Sequence, residues 1–421
     1  MARRNLALRL SAAAAALGFA TATLTTSGAA IAQEPPADLN SIPPVPTNFP
    51  VKKTPWGDPD FRSIYTIEHI PDAHILFQRP KGWGTRVWLT PEEYQKRVDN
   101  ATKSDAAYSA DSGGLNTPGT EGFAEWIKTD PMAHRTSMLI DPPDGQVPPM
   151  TPQAEALYHA GRSDWVPKQE FDWVDDFDSW DRCVSRGFPA SMFPFRYNNG
   201  VQIFQSPGYV VIHLEMLGTR VIPIGKMPPW PDNVEAWMGS SHGHWEGNTL
   251  VIETDNIKSG DSASHDNIKR SSSPLNEATQ NVPLLNTIPT SSKAHTTERL
   301  TQTGPNTLTY EITYSDPEVY TKPWTARLDW TRNNDYYMAE YACHEGDVQV
   351  RNYINASRAK RKQIAEGKLQ ANAPDGRETF AKQFDFDPVS PDAPKFPPRG
   401  AAAPPAKGAA STPPPARSGG E

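Results

Sequence analysis

Between Val201 and His344, apolar and polar residues alternate with a period of two, segment after segment, between short turn sequences. In Val210–Met216 one face carries Val210, Ile212, Leu214 and Met216, and the other carries Val211, His213 and Glu215. Successive side chains of an extended chain point to opposite faces, so this pattern predicts a half-buried strand. The same alternation sets Leu250, Ile252 and Thr254 against Val251, Glu253 and Asp255, and Leu308, Tyr310, Ile312 and Tyr314 against Thr309, Glu311 and Thr313. It sets Trp324, Ala326, Leu328 and Trp330 against Thr325, Arg327 and Asp329, and Tyr337, Ala339, Tyr341 and Cys343 against Met338, Glu340 and Ala342. Pro207-Gly208, Glu246-Gly247-Asn248, Gly304-Pro305-Asn306 and Asn333-Asn334-Asp335 supply hairpin turn chemistry between these runs. The expected fold is mainly β: an antiparallel meander forming a barrel-like or strongly bent sheet, because closure removes exposed strand edges.

A few short helices are expected around it. Thr90-Pro91-Glu92-Glu93 reads as an N-cap, a proline at the first helical position and a capping-box glutamate. Thr151-Pro152-Gln153-Ala154-Glu155 starts another helix, and Asp232–Met238 and Asn352–Leu369 are further candidates. Proline crowds residues 33–59, which therefore read as an extended arm, and Pro, Ala, Gly and Ser dominate 373–421, a composition unable to bury a core. The organisation read from the chain is a leader over 1–32, the arm over 33–59, and an irregular and helical part over 60–200 packing on the sheet. The β domain with a C-terminal helix then covers 201–372, followed by the disordered tail.

The leader carries Arg3, Arg4 and Arg9, an alanine-rich apolar run from Ala13 to Leu24 and the A-x-A sequence Ala30-Ile31-Ala32, which reads as a cleavable secretory signal. Arg3-Arg4 also resembles a twin-arginine signal, but ordinary export of the unfolded chain is the preferred reading. The expected location is periplasmic or secreted. Losing three arginines with the leader lowers the formal charge from −8 to −11, the wrong sign for a nucleic-acid partner. Beyond Ala32 no run approaches the roughly 18 apolar residues that span a bilayer. The only cysteines, Cys183 and Cys343, enter an oxidising compartment on this reading, where pairing is the default.

The densest chemistry lies in Ser241-His242-Gly243-His244-Trp245-Glu246-Gly247. In an extended segment His242, His244 and Glu246 share a face, and two imidazoles with a carboxylate make a candidate zinc or iron triad. Hydrogen-bonded histidines beside a hairpin turn are the structural alternative. His244 and Glu246 are also candidate acid–base groups, with His344, beside Cys343, and Glu215 as further candidates. Arg182, Asn198, Trp245 and Tyr341 are candidate substrate-binding residues. The acidic run Asp172–Asp181 lacks the glycine and terminal glutamate of a calcium loop and reads as an exposed loop with buried aromatics. Tryptophans such as Trp230, Trp237 and Trp245 suit an apolar or saccharide ligand, or simply a core. No nucleophile elbow, phosphate loop, dinucleotide fingerprint, H-E-x-x-H or haem-attachment motif is present.

Asp181-Arg182-Cys183, Tyr197-Asn198-Asn199, Ser206–Val211, Gly243–Leu250 and Tyr341–Gly346, in that order, resemble the motifs of a family of exported bacterial proteins of uncharacterised function. The resemblance extends over about Trp56 to Arg358 and implies no particular reaction. It includes Arg182, Asn198, His244, Glu246, His344 and Glu345 but not His242. Three readings follow. One is a periplasmic enzyme working on a small organic or saccharide substrate by acid–base chemistry in an aromatic-lined cavity. Another is a lipocalin-like protein that binds a small-molecule ligand without chemistry. An envelope-associated structural protein, tethered to a partner by its proline-rich ends, is a third. The sequence sets no oligomeric state.

Overall fold

The computed structural model describes residues 34–67, 77–111, 123–160, 170–177, 182–194, 198–228, 230–258, 288–345, 347–371 and 391. The leader, nearly all of the tail, Asp178–Asp181, Tyr197 and Gly346 lie outside the described residues. The strands are β1 (Ser63–Thr66), β2 (Leu139–Asp141), β3 (Gly200–Ser206), β4 (Tyr209–Leu214), β5 (Thr219–Pro223), β6 (Ser240–Glu246), β7 (Thr249–Asp255), β8 (His295–Gln302), β9 (Thr307–Ser315) and β10 (Trp324–Arg332). The helices are α1 (Pro91–Asp111), α2 (Phe123–Thr129), α3 (Pro152–Ala160) and α4 (Gln349–Ala365).

Nine strands pair antiparallel in the order β5-β4-β3-β1-β10-β9-β8-β7-β6, with β2 pairing to β10 outside that path. The two ends of the row meet, so the sheet is nearly closed into a barrel: Ile224, just past β5, bridges Gly243 of β6 in parallel, and the Gly225 amide donates to the Gly243 carbonyl at 2.8 Å. The faces expected to be apolar point inward. Leu250, Ile252, Leu308, Tyr310, Ile312, Tyr314, Trp324, Ala326, Leu328 and Trp330 are all buried. Tyr310 stacks on Trp330 and Tyr314 on Trp324, each pair with ring centroids 4.9 Å apart. Full burial of a large apolar side chain stabilises the fold by about 1.5–3 kcal/mol, so these stacked rings add to what the aliphatic core residues contribute.

Local signals at helix starts are realised. The Thr90 amide donates to Glu93 Oε2 at 2.9 Å while Thr90 Oγ1 accepts from the Glu93 amide at 3.3 Å, a complete capping box for α1. Thr151 Oγ1 accepts from the Ala154 amide at 3.1 Å and caps α3. The C-terminal helix starts three residues earlier than expected, at Gln349, and ends at Ala365.

Two expected elements are absent. Tyr337–Cys343 is not a strand: both edges of β10 are already occupied, by β1 and by β9, so the alternating run has no partner to pair with. Asp232–Met238 is not a helix but a series of turns, because its backbone bonds across to the exit of β7 rather than to itself. Conversely, β1 and β2 rise from a stretch read as irregular. Being so short, they carry too few residues for periodicity to register.

Cys183 and Cys343 are joined, with Cα atoms 5.7 Å apart and a sequence separation of 160. Among the described residues no helix is long and apolar enough to cross a membrane.

Candidate functional site

Because β5 and β6 run parallel at their junction, the chain between them must travel back along the barrel, and residues 225–228 and 230–239 belong to that crossover. The strands approach closely there because position 243 is glycine: a Cβ would meet Ile224 Cδ1 at 3.1 Å and both Ile222 Cγ2 and the Val251 carbonyl at 3.2 Å. Among the described residues the Ile224–Gly243 bridge is the one pairing recorded between these strands. On the Arg220 side of it the seam is held by side chains alone.

A cleft of about 690 Å³ lies over this seam. Val221 and Pro223 of β5 form one wall, Ser240 and His242 of β6 another, and Met227, Trp230, Trp237 and Met238 of the crossover supply its apolar lining. Val221, Met227 and Trp230 are among the exposed large apolar residues of the molecule, so the cleft presents apolar surface to solvent. Asn256, with positive φ at the end of β7, positions the crossover: its Nδ2 donates to the carbonyls of Pro231 and Val234, each at 3.0 Å. The Ala236 amide donates in turn to the Asn256 carbonyl at 3.1 Å. Lys258 Nζ sits 4.8 Å from the Trp237 ring centroid and braces that indole.

Two cleft residues, Arg220 and Ser241, also belong to a polar network inside the barrel. Arg220 and Glu298 are ion-paired with both side chains at 0% exposure, Nη1 donating to Oε1 at 2.8 Å and Nη2 to Oε2. Nη2 also reaches Ser241 Oγ and Thr254 Oγ1, each at 3.0 Å, and the Tyr310 hydroxyl donates to Glu298 Oε1 at 2.8 Å. The guanidinium lies 4.5 Å from the Phe188 ring centroid. Burial works against its charge, but the facing carboxylate outweighs burial and raises its pKa. Burial, reinforced by Glu298, pushes the Tyr310 phenol well above its ordinary range, so it remains a donor. The Nε of Arg220 is buried and has no hydrogen-bond partner.

Of the residues singled out in the sequence, Trp230, Trp237 and His242 line this cleft, and the others fall in two other places. His242, His244 and Glu246 do share a face of β6, but it is the outer face, and His242 is engaged apart from the other two. His242 Nε2 is 3.0 Å from Glu253 Oε2, and His244 Nε2 is 3.3 Å from Glu246 Oε1. Arg299 donates to Glu246 Oε2 at 2.6 Å. The triad is not assembled, and among the described residues no group of three His, Cys, Asp or Glu side chains is placed to hold a metal ion. The bond from Arg299, then that from His244, lowers the Glu246 pKa and holds it as a carboxylate. Trp245 points the other way, edge-on to Phe61 at 5.3 Å and against the core.

The second place surrounds the disulfide. Glu215 is buried just beyond β4 and accepts four hydrogen bonds, from Asn198 Nδ2 at 3.1 Å, the Gly200 amide at 3.0 Å, the Tyr336 hydroxyl at 2.7 Å and the Ala339 amide at 3.2 Å. Tyr341 and Leu217 pack on Met216. Arg182, next to Cys183, is half-buried, and His344 and Glu345 are exposed. Glu215 and Asn198, singled out separately in the sequence, thus meet as a clamp on the segment leading to Cys343 rather than at the cleft.

Sequence reasoning overlooked Arg220, Glu298 and Asn256. A readable signal existed for the first pair: Arg220 stands two before Ile222, and Glu298 two before Leu300, so each is a charge on an otherwise inward face, with opposite signs. Set beside known proteins, this chain matches no family model, no curated protein and no solved structure.

Proposed function

We propose that this is an exported protein that binds a small, largely apolar molecule in the cleft over the β5–β6 seam. The observation that carries the reading is a cleft of about 690 Å³ lined by two indoles and two thioethers yet open to solvent. That volume falls within the usual range of small-molecule sites, and Met and Trp provide adaptable apolar contact. The leader, the disulfide and the resemblance to exported bacterial proteins support the location. The catalytic alternative is less well supported, since His244 and Glu246 stand on the outer face with Glu246 held ionised by Arg299.

N-phenyl-1-naphthylamine, whose emission rises in apolar surroundings, tests the reading by titration. One saturable class of sites is expected. Val221→Arg, at an exposed position on the cleft wall, should abolish it without lowering the melting temperature. Saturable binding that survives Val221→Arg places the probe elsewhere and overturns the proposal.

A further inference from the structure

Resting on the reading of the cleft as an open binding site, we infer that the chain's own proline-rich tail, residues 393–420, docks in it and on the adjoining sheet face and gives way when a small ligand binds. The apolar surface does not end at the cleft. On the outer face of the sheet Val221 of β5 stands beside Val211 of β4, which stands beside Phe204 of β3, and Pro223 stands beside Tyr209. Phe204, Tyr209, Val221, Met227 and Trp230 are all exposed, so one apolar strip runs from the crossover across three strands. Two strand spacings add about 10 Å to the cleft. A small molecule filling the cleft leaves Phe204, Val211 and Tyr209 bare, whereas an extended segment covers both parts.

The tail supplies such a segment. Proline pairs recur in it, each followed within two residues by a cation: Pro397-Pro398-Arg399, Pro404-Pro405-Ala406-Lys407 and Pro414-Pro415-Ala416-Arg417. Proline favours an extended chain before binding, so docking costs little further conformational entropy, and aromatic-lined grooves take proline rings. Residues 393–420 hold Lys395, Arg399, Lys407 and Arg417 and no carboxylate, whereas the remainder of the chain beyond the leader is acidic. Beside the strip stand Asp255 in the cleft lining and Asp232 and Glu235 in the crossover, against Lys226 and Lys258, which leaves the complementary sign. Reach is no obstacle. The structure describes the chain to Ala371, and the roughly 25 residues from there to Pro397 can span about 80 Å at about 3.1 Å each.

The test is the anisotropy of a fluorescein-labelled peptide of residues 393–420 titrated onto the chain with 373–421 deleted, a deletion that spares the barrel, the disulfide and α4. Saturable binding is expected. The full chain should bind the peptide at least about tenfold more weakly, because its own tethered tail competes at an effective concentration of about a millimolar. Val221→Arg in the deleted chain should abolish binding, and so should replacing every proline of the peptide by alanine. No binding, equal binding by the full and deleted chains, or undiminished binding of the proline-free peptide overturns the inference, the last by leaving charge alone as the cause. A deleted chain that sediments as a dimer, and as a monomer once Val221→Arg is introduced, puts a second copy on the strip and overturns it as well. N-phenyl-1-naphthylamine added to the deleted chain reads the cleft separately, and the peptide should displace it. Dye that binds and resists the peptide removes this inference alone; dye that fails to bind where the peptide does removes the small-ligand reading alone.

Discussion

Arg220 and Glu298 show how a pair of charges becomes tolerable in a barrel core: every oxygen of the carboxylate and both terminal nitrogens of the guanidinium have partners. Breaking such a pair leaves the survivor buried and unpaired, so Glu298→Gln should destabilise the protein by about 3–5 kcal/mol. The Arg220→Leu, Glu298→Leu double replacement should recover most of that loss, as urea unfolding of the three proteins would show. Recovery no better than the single variant would mean that the pair stabilises more than an apolar core of similar volume. Glu93 supports a pH prediction of its own. Partial burial tends to raise its pKa, but bonds from Arg86, the Thr90 amide and Trp83 outweigh burial and bring it down to about 2. A carboxyl with a folded pKa below its unfolded one stabilises above the unfolded value, about 4.3, and loses that contribution as pH falls towards 2. Glu93→Gln should therefore lower stability at pH 7, with the difference from the native protein narrowing between about pH 4 and 2 in denaturant titrations.

Alternation read along the chain identified β4, β7, β9 and β10 and their inward faces, since a strand with one face in the core must repeat every two residues. The same rule misassigned Tyr337–Cys343, where periodicity is present but the preceding strand, β10, is already paired on both sides. What holds that segment instead is Glu215, through Tyr336 and Ala339, together with the disulfide. Hydrogen bonds to a charged acceptor are worth about 1.5–3 kcal/mol each, and removing this acceptor strands the Gly200 amide at the start of β3 as well. Glu215→Ala should accordingly speed amide exchange across 336–345 while β9 and β10 stay protected. Uniform loss of protection throughout the barrel would show that the carboxylate supports the whole sheet rather than this segment. The motif Gly243-His244-Trp245-Glu246-Gly247 is likewise explained by the element it builds. Gly243 allows the seam to close, Trp245 fills the core beside Phe61, Glu246 pairs with Arg299 across the outer face, and Gly247 takes the positive φ of the hairpin turn.

At the scale of the whole molecule the disulfide fastens the stretch before β3 to the stretch after β10, closing a loop of 160 residues. Constraining so long a loop in the unfolded chain is worth roughly 4–5 kcal/mol in the chain-entropy account. Replacing both cysteines by serine should lower unfolding stability by up to that amount, and an unchanged urea midpoint would show that the clamp around Glu215 suffices without it. The sequence by itself determined the class of fold, the inward faces of the long strands, the capped starts of α1 and α3 and the pairing of two lone cysteines. Each of these follows from local periodicity, from neighbours within one turn of helix, or from there being a single possible partner. Only the tertiary structure decided that His242, His244 and Glu246 face outward, that Glu215 clamps a distant segment, and that Arg220 meets Glu298 beneath a cleft. Those outcomes depend on which side of a closed barrel a face turns to and on which strands become neighbours around it. Both are set by closure between β5 and β6, residues whose local sequence carries no mark of that meeting.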